Sequence, residues 1–180
     1  MNLTIEKTLN ALANVLLLFG GILMVLMMLQ ITLSVLGRYL ISQPIPGTLE
    51  VVSSYYMVGV VFFPLAYVQR QREHIVVELF TQKLSPRSLA GLEGVIYLLS
   101  SLYVGMLAWR GFLSAFKAYD FGETWTTAYF DLITWPTYWF VPIGFTFMTL
   151  YLLLQGMNDL VMAWRNNQIA PPPAKHLPIE

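Results

Sequence analysis

The stretch Pro46-Gly47-Thr48-Leu49-Glu50 opens an uncharged segment that ends at Gln69-Arg70-Gln71-Arg72-Glu73-His74-Ile75-Val76-Val77-Glu78. Residues 51–68 between these two ends carry no charge and are about as long as a helix must be to cross the roughly 30 Å hydrocarbon core of a bilayer. The stretch therefore predicts a membrane span with a carboxylate at its entrance and a dense cluster of polar residues at its exit.

The composition excludes a soluble globular domain. Apolar residues make up 57% of the 180 residues and charged residues 11%, whereas soluble domains carry about 25% charged residues. The net charge is zero, and no basic cluster is interleaved with aromatic residues as nucleic-acid binding would require. The chain contains no cysteine, which excludes disulfides, thiolate metal sites and thiol nucleophiles.

The hydropathy pattern predicts an all-α integral membrane protein with four transmembrane helices in a single domain, residues 1–165. The predicted spans lie at about 8–37, 50–69, 87–110 and 135–160. Residues 75–84 are too few to span a bilayer and too apolar for a free loop, which indicates a short segment on the membrane surface. Residues 166–180 contain three consecutive prolines and are predicted to form a disordered cytoplasmic tail.

Individual residues predict how these helices begin, bend and end. Thr48 is expected to be the N-cap of the second span, which places Glu50 in the first turn, where the helix dipole favours a carboxylate. Pro64 is expected to kink the same span because proline removes a backbone donor. Pro142 either kinks the fourth span or marks its start, and Gly122 is expected to end the third helix.

Four polar residues interrupt the apolar run of the first span after residue 10. Polar side chains are unfavourable against lipid, so we expect these four to face other helices and to contribute to packing. They are Asn14, Gln30, Thr32 and Ser34.

The basic residues predict the orientation, because cytoplasmic loops of membrane proteins are enriched in Lys and Arg. Four spans place three basic residues on one side of the membrane, namely Arg38, Arg110 and Lys117. They place seven on the other side, namely Lys7, Arg70, Arg72, Lys83, Arg87, Arg165 and Lys175. Both termini are therefore predicted to be cytoplasmic, and the acidic loop at residues 120–131 is predicted to face outward.

The sequence offers little that could catalyse a reaction. Its two histidines, His74 and His176, lie outside the spans, so neither suits the axial ligand of a membrane haem. Metal-ligand clusters, nucleophile elbows and glycine-rich phosphate loops are absent from the sequence. We therefore expect neither an enzyme activity nor a cofactor in this chain.

Transport by this chain alone is also disfavoured. Carriers place ionisable residues or broken helices near the bilayer midplane, whereas the cores of the four predicted spans contain no ionisable side chain of Asp, Glu, Lys, Arg or His. A subunit that packs against a larger partner is the simplest interpretation. Two alternatives stay open: a small homodimeric proton-coupled exporter that uses Glu50, and a membrane anchor subunit of a redox complex.

Four motifs resemble a known family. They are Gly37-Arg38-Tyr39, Pro46-Gly47-Thr48-Leu49-Glu50, the run from Gln69 to Glu78 with its His74-Ile75-Val76-Val77-Glu78 element, and Pro142-Ile143-Gly144. Over about residues 8–165 the chain is similar to the small, Q-type membrane subunit of tripartite ATP-independent periplasmic (TRAP) transporters. That family shows an Arg-Tyr after the first span, a Glu opening the second, a His-Ile-x-Val-acidic element after it, and a Pro-x-Gly in the last.

The resemblance implies a subunit of the bacterial inner membrane that holds no substrate site of its own. Its partners would be a large, many-span permease subunit, which holds the substrate and sodium sites, and an extracytoplasmic binding protein that delivers an organic acid. Uptake would be driven by the sodium gradient. The small subunit would be a scaffold that supports the large one, in contact with membrane lipids and not with nucleic acid.

Two groups of residues are candidates for such contacts. The candidate subunit-interface or structural residues are Arg38, Glu50, Arg72, His74 and Glu78. The candidate contacts with the binding protein lie in the outward-facing acidic loop and are Asp120, Glu123 and Asp131.

Overall fold

The computed structural model describes residues 3–40, 42, 45–71, 86–126 and 130–165. Four of its helices are long and apolar enough to cross a membrane, which confirms the all-α, four-span prediction. The predicted surface segment at residues 75–84 and the predicted tail at residues 166–180 lie outside the described residues. The same holds for three of the candidate interface residues, Arg72, His74 and Glu78.

The helices and strands follow one another along the chain as four spans and one hairpin. The first span is helix α1, Leu3–Leu40, and the third is helix α5, Pro86–Phe121. The second span, Thr48–Gln71, consists of α2 (Thr48–Val51), a π-helical turn (Val52–Tyr56), α3 (Met57–Phe62) and α4 (Leu65–Gln71). Strands β1 (Thr124–Thr126) and β2 (Asp131–Ile133) precede the fourth span, which is a 3₁₀ turn (Trp135–Trp139) followed by α6 (Phe140–Arg165).

The first and third helices are longer than the predicted spans. Helix α1 has 38 residues and α5 has 36, so each extends for more than about 50 Å and must tilt in the bilayer or project beyond its hydrocarbon core. Gly122 ends α5 as predicted, with a φ of 59°. Its N–H donates to the carbonyl of Tyr119, and the N–H of Glu123 donates to the carbonyl of Ala118, which is the Schellman pattern that requires a left-handed residue.

The start of the second span differs from the prediction. Thr48 is the first helical residue, and the N-cap is Gly47, which has a φ of 77° and no side chain to cap the helix. The Thr48 hydroxyl instead donates to the carbonyl of Ile45 at 2.9 Å. The predicted Thr48 cap is therefore wrong, because a left-handed glycine turn brings the chain into the helix one residue earlier. Glu50 nevertheless lies in the first turn, as expected.

Two prolines inside the spans, Pro64 and Pro142, have visible effects. The second span is interrupted at Phe63 and Pro64, between α3 and α4, as expected for a proline that cannot donate to the helix ladder. Pro142 lies in the first turn of α6, after the 3₁₀ turn has ended at Trp139. Its missing N–H falls in the first turn of α6, where N–H groups have no partner within that α-helix, so Pro142 lies near the start of α6.

The four spans lie side by side in the order first, second, fourth, third. The first packs mainly on the second, the second packs on the fourth, and the third and fourth share the most extensive contact. Glycines allow the close approaches. A β-carbon at residue 144 would lie 2.3 Å from the backbone oxygen of Phe62, and one at residue 94 would lie 2.8 Å from Leu160 Cγ. The resemblance motif Pro142-Ile143-Gly144 is thus the point where the fourth span meets the second.

The loop between the third and fourth spans, predicted as an acidic loop, contains a small antiparallel hairpin. The predicted orientation places this end of the molecule outside, so it is called the outer end and the opposite end the inner end. Thr124 pairs with Ile133, Trp125 with Leu132, and Thr126 with Asp131. Threonine, tryptophan and isoleucine favour extended backbone. A two-stranded sheet is marginally stable by itself, so the hairpin must be supported by the ends of the helices.

Candidate functional site

The outer end of the second span is attached to the hairpin. The Tyr55 hydroxyl, in the π-helical turn, donates a hydrogen bond to the carbonyl of Ile133 in β2. A β-carbon at residue 47 would lie 2.2 Å from Phe130 Cζ, so the left-handed turn packs directly against that ring. π-helical turns often occur at functional sites because the extra residue redirects a side chain. Here the π-helical turn contains Tyr55, whose hydroxyl contacts the hairpin.

The two outer-side candidates for a subunit interface do not form a pair. Arg38 lies in the last turn of α1 and is exposed, and Glu50 is half-buried in the first turn of α2. Among the described residues, neither side chain makes a hydrogen bond or an ion pair. The Ser53 hydroxyl donates to the backbone carbonyl of Glu50 at 3.2 Å and leaves the Glu50 carboxylate uninvolved. Both charges are thus available to a partner at the same side of the spans.

The structure brings the three acidic candidates to one end of the molecule. Asp120 is in the last turn of α5, Glu123 follows the Gly122 turn, and Asp131 opens β2; all three are exposed. Glu123 is the best anchored of them. Its carbonyl accepts the N–H groups of Thr134 and Trp135 at 3.0 Å and 3.2 Å.

A cavity of about 390 Å³ lies behind the hairpin, between it and the second and fourth spans. Its lining includes the hydroxyl-bearing residues Ser54, Thr124, Thr126, Thr134, Thr137 and Tyr138. The Thr134 and Thr137 hydroxyls donate to nearby carbonyls, at 3.1 Å to Glu123 and 2.8 Å to Thr134. Two of these six hydroxyls thus bond the backbone, whereas the buried Ser54 Oγ has no hydrogen-bond partner among the described residues.

The inner end of the second span contains a buried amide pair that the sequence analysis missed. Gln69 is fully buried, and its Nε2 donates to Gln155 Oε1 at 2.7 Å. Gln155 Nε2 donates in turn to the Gln69 carbonyl at 3.0 Å. Gln155 is the one amide within the long apolar run of the fourth span, residues 140–157, and that isolation was the available signal, since a lone amide in a span needs a partner.

Arg70 extends this polar contact to the first span. Its Nη1 donates to Asn14 Oδ1 at 2.9 Å, and its guanidinium lies 4.5 Å from the ring centroid of Tyr67. The Tyr151 hydroxyl donates to Asn10 Oδ1 at 3.0 Å. Three spans are therefore joined by polar contacts at their inner ends, and the expectation that Asn14 faces another helix is confirmed.

The other polar residues of the first span behave differently. The Thr32 hydroxyl donates to the carbonyl of Met28 in its own helix at 2.8 Å and is exposed, so it bonds no other helix of this chain. A threonine can satisfy its hydroxyl on the preceding turn, which removes the need for a neighbouring helix. Gln30 and Ser34 are half-buried.

The part of the chain that the structure describes contains no group of three or more His, Asp or Glu side chains that could hold a metal ion. What these residues can do is hold helices together and present charges at the two membrane surfaces. The candidate site therefore consists of two polar clusters, one at each end of the second span. One joins Tyr55 to the hairpin. The other contains Asn10, Asn14, Gln69, Arg70, Tyr151 and Gln155.

Comparison with known proteins gives one match. A family model described as "Tripartite ATP-independent periplasmic transporters, DctQ component" matches residues 27–161. Neither the curated proteins nor the solved structures contain a match to the chain.

Proposed function

The chain belongs to the DctQ family of tripartite ATP-independent periplasmic transporters, and we propose that within such a transporter it acts as a scaffold for a large, many-span permease subunit. As a small transporter subunit it is a multi-pass membrane protein. The scaffold role, the nature of the substrate and the coupling ion are the proposal.

The scaffold role rests on one observation. The spans contact one another, yet most of their apolar surface is exposed in the chain alone. Within the most apolar stretch of each span, between 11% and 28% of the residues are buried inside the chain. The first span has the smallest buried share, 11%, because it packs mainly on the second span. Membrane helices associate through close packing and hydrogen bonds, so an array with this much exposed apolar surface offers a long face to a larger partner.

Contacts at both ends support a static role. The Tyr55–Ile133 bond holds the second span to the outer hairpin, and the Gln69–Gln155 pair holds it to the fourth span at the inner end. An array that is fixed at both ends suits the immobile part of a transporter, against which a substrate-carrying domain moves. The alternatives raised from the sequence, an exporter using Glu50 and a redox anchor, lose support because the family is that of a transporter component.

The remaining parts of the proposal concern partners and energetics. The large subunit holds the substrate and the sodium ions, an extracytoplasmic binding protein delivers an organic acid, and the complex lies in the bacterial inner membrane. Asp120, Glu123 and Asp131 form the acidic outer surface that would meet the binding protein. Arg38 and Glu50, together with Arg72, His74 and Glu78 outside the described residues, stay candidates for the interface with the large subunit.

The test is to reconstitute the chain with the large permease into vesicles and to supply the binding protein with a labelled organic acid. We expect the two membrane proteins to co-purify, and uptake to require an inward sodium gradient and both subunits. Uptake by the large subunit alone at the full rate would contradict the scaffold role. Uptake at the same rate with and without the sodium gradient would contradict sodium coupling. It would not contradict the assembly of the two subunits.

A further inference from the structure

A groove runs along the third span on the side where the fourth span leaves it partly uncovered. It has a volume of about 630 Å³ and is lined by Leu98, Ser101, Leu102, Gly105, Met106, Trp109, Arg110 and Leu153. Its one hydroxyl, on Ser101, donates to the carbonyl of Leu98 at 2.7 Å. The lining is therefore apolar along its length, with a single cation at its outer end.

Arg110 has no anionic partner within the described residues. It is exposed, and it makes no hydrogen bond, ion pair or ring contact there. An unpaired guanidinium on the membrane-facing side of a span is unfavourable unless it reaches an anion or the headgroup layer. The charge at the end of the groove is therefore open to the headgroup layer or to an anionic group from outside this chain.

The position of Arg110 fits the outer headgroup layer. Residues 94–109 between Glu93 and Arg110 are uncharged, and the two charges are separated by about 26 Å along the helix, close to the roughly 30 Å hydrocarbon core. Trp109 beside it is 67% exposed, and Trp139 packs on Phe112 and Phe116 of the next turns. Tryptophans of this kind are typical of the membrane interface.

The length of the groove fits one leaflet. From Leu98 to Arg110 the helix rises about 18 Å, somewhat more than half of the roughly 30 Å core. An apolar channel as deep as one leaflet with a cation at its mouth is complementary to one acyl chain attached to a phosphate. An extended peptide segment would leave its backbone groups unsatisfied in this lining, because no free polar side chain is present among the lining residues below Arg110.

We propose that this groove is a binding site for a glycerophospholipid of the outer leaflet, with one acyl chain along Leu98–Trp109 and the phosphate on the Arg110 guanidinium. The phosphate accepts charge-assisted hydrogen bonds from the guanidinium. Leu102 and Met106, which are 64% and 63% exposed in the chain alone, are covered by the acyl chain.

The experiment is native mass spectrometry of the full-length protein, purified in mild detergent and titrated with phosphatidylglycerol or with diacylglycerol of the same acyl chains. We expect retention of phosphatidylglycerol and little retention of diacylglycerol, which lacks the phosphate. Arg110→Gln should lower phosphatidylglycerol retention by about tenfold or more. Lys117→Gln, which removes an exposed cation of the same helix outside the groove, should leave it unchanged.

A second variant tests the apolar part of the site. Leu102→Trp fills the groove from an exposed position, so it should lower lipid retention and leave the helical circular dichroism signal unchanged. Equal retention of the two lipids, or wild-type retention by Arg110→Gln, would overturn the proposal. So would loss of a co-purifying protein in Arg110→Gln without loss of lipid, because Arg110 would then be a protein contact.

Discussion

The amides of Gln69 and Gln155 bind each other in both directions across the second and fourth spans. Gln69 Nε2 donates to Gln155 Oε1 at 2.7 Å, and Gln155 Nε2 donates to the backbone carbonyl of Gln69 at 3.0 Å. The pair is separated by 86 residues in sequence. In a bilayer, where water cannot satisfy these groups, such a contact fixes which faces of the two helices meet.

Gln69→Leu should lower the free energy of unfolding by about 1 kcal/mol, because it leaves the Gln155 side-chain oxygen without its donor. Thermal or steric-trap unfolding in detergent measures the change. The double variant Gln69→Leu/Gln155→Leu should recover part of the loss, since both amides are then replaced by apolar groups. Strictly additive losses would show that the two side chains are not coupled.

Gly144→Ala should separate the second and fourth spans, because the new β-carbon would lie 2.3 Å from the Phe62 backbone oxygen, which cannot move independently of its helix. We expect a loss of about 1–3 kcal/mol, as in other overpacked contacts. Gly21→Ala is the matched control, since a β-carbon there has no neighbour within 4 Å and alanine favours the helix by about 0.5–1 kcal/mol. Equal effects of the two variants would contradict the close approach at Gly144.

Tyr55→Phe should loosen the outer hairpin, because it removes the hydroxyl that donates to the Ile133 carbonyl. Hydrogen exchange at the amides of β1 and β2 should become faster, with little change in the four spans. Tyr56→Phe is the control, since Tyr56 lies in the same π-helical turn and its hydroxyl has no described hydrogen bond. Unchanged exchange in Tyr55→Phe would mean that the hairpin is held by its packing alone.

Neutralising the exposed acids of the outer surface should weaken the response to the binding protein. In reconstituted vesicles, Asp120→Asn combined with Asp131→Asn should raise the binding-protein concentration for half-maximal uptake severalfold, about 0.2–1 kcal/mol for each exposed charge. Added salt should shrink the difference between wild type and variant. Lys7→Gln, at the opposite end of the array, is the control for a charge change remote from the acidic surface, and a similar increase in that variant would contradict the docking surface.

The orientation predicted from the basic residues can be tested with single cysteines, because the chain has none of its own. Thr124→Cys in exposed β1 should react with a membrane-impermeant maleimide added to intact spheroplasts. Gln71→Cys, at the exposed inner end of α4, should react after permeabilisation. The reverse pattern would invert the orientation and would place the hairpin away from the binding protein.

Local features of the chain were predictable because they depend on neighbouring residues. Gly122 ends the third helix and Pro64 interrupts the second span, and both follow from backbone chemistry that acts within a few residues. The prediction that Thr48 is the N-cap was wrong because the preceding residue, Gly47, adopts the left-handed conformation and is itself the N-cap. The roles predicted for Arg72, His74 and Glu78 stay predictions.

Contacts between distant parts of the chain were not predictable in the same way. The sequence analysis did not identify the partner of Gln69, the pairing of the hairpin strands, or the hydrogen bond from Tyr55 to Ile133. Thr32 shows the opposite case, since its hydroxyl bonds its own helix and needs no neighbour. A polar residue in a span has several ways to be satisfied, and its sequence position does not distinguish them.

The sequence by itself determined that this is a four-span membrane protein, because apolar length and the scarcity of charge are properties that each segment has alone. Its motifs also indicated the family. The tertiary structure decided the order of the spans, the attachment of the hairpin to the π-helical turn, and the apolar groove that ends at Arg110. These depend on which helix faces meet, and in lipid all apolar faces are nearly equivalent until packing and a few hydrogen bonds distinguish them.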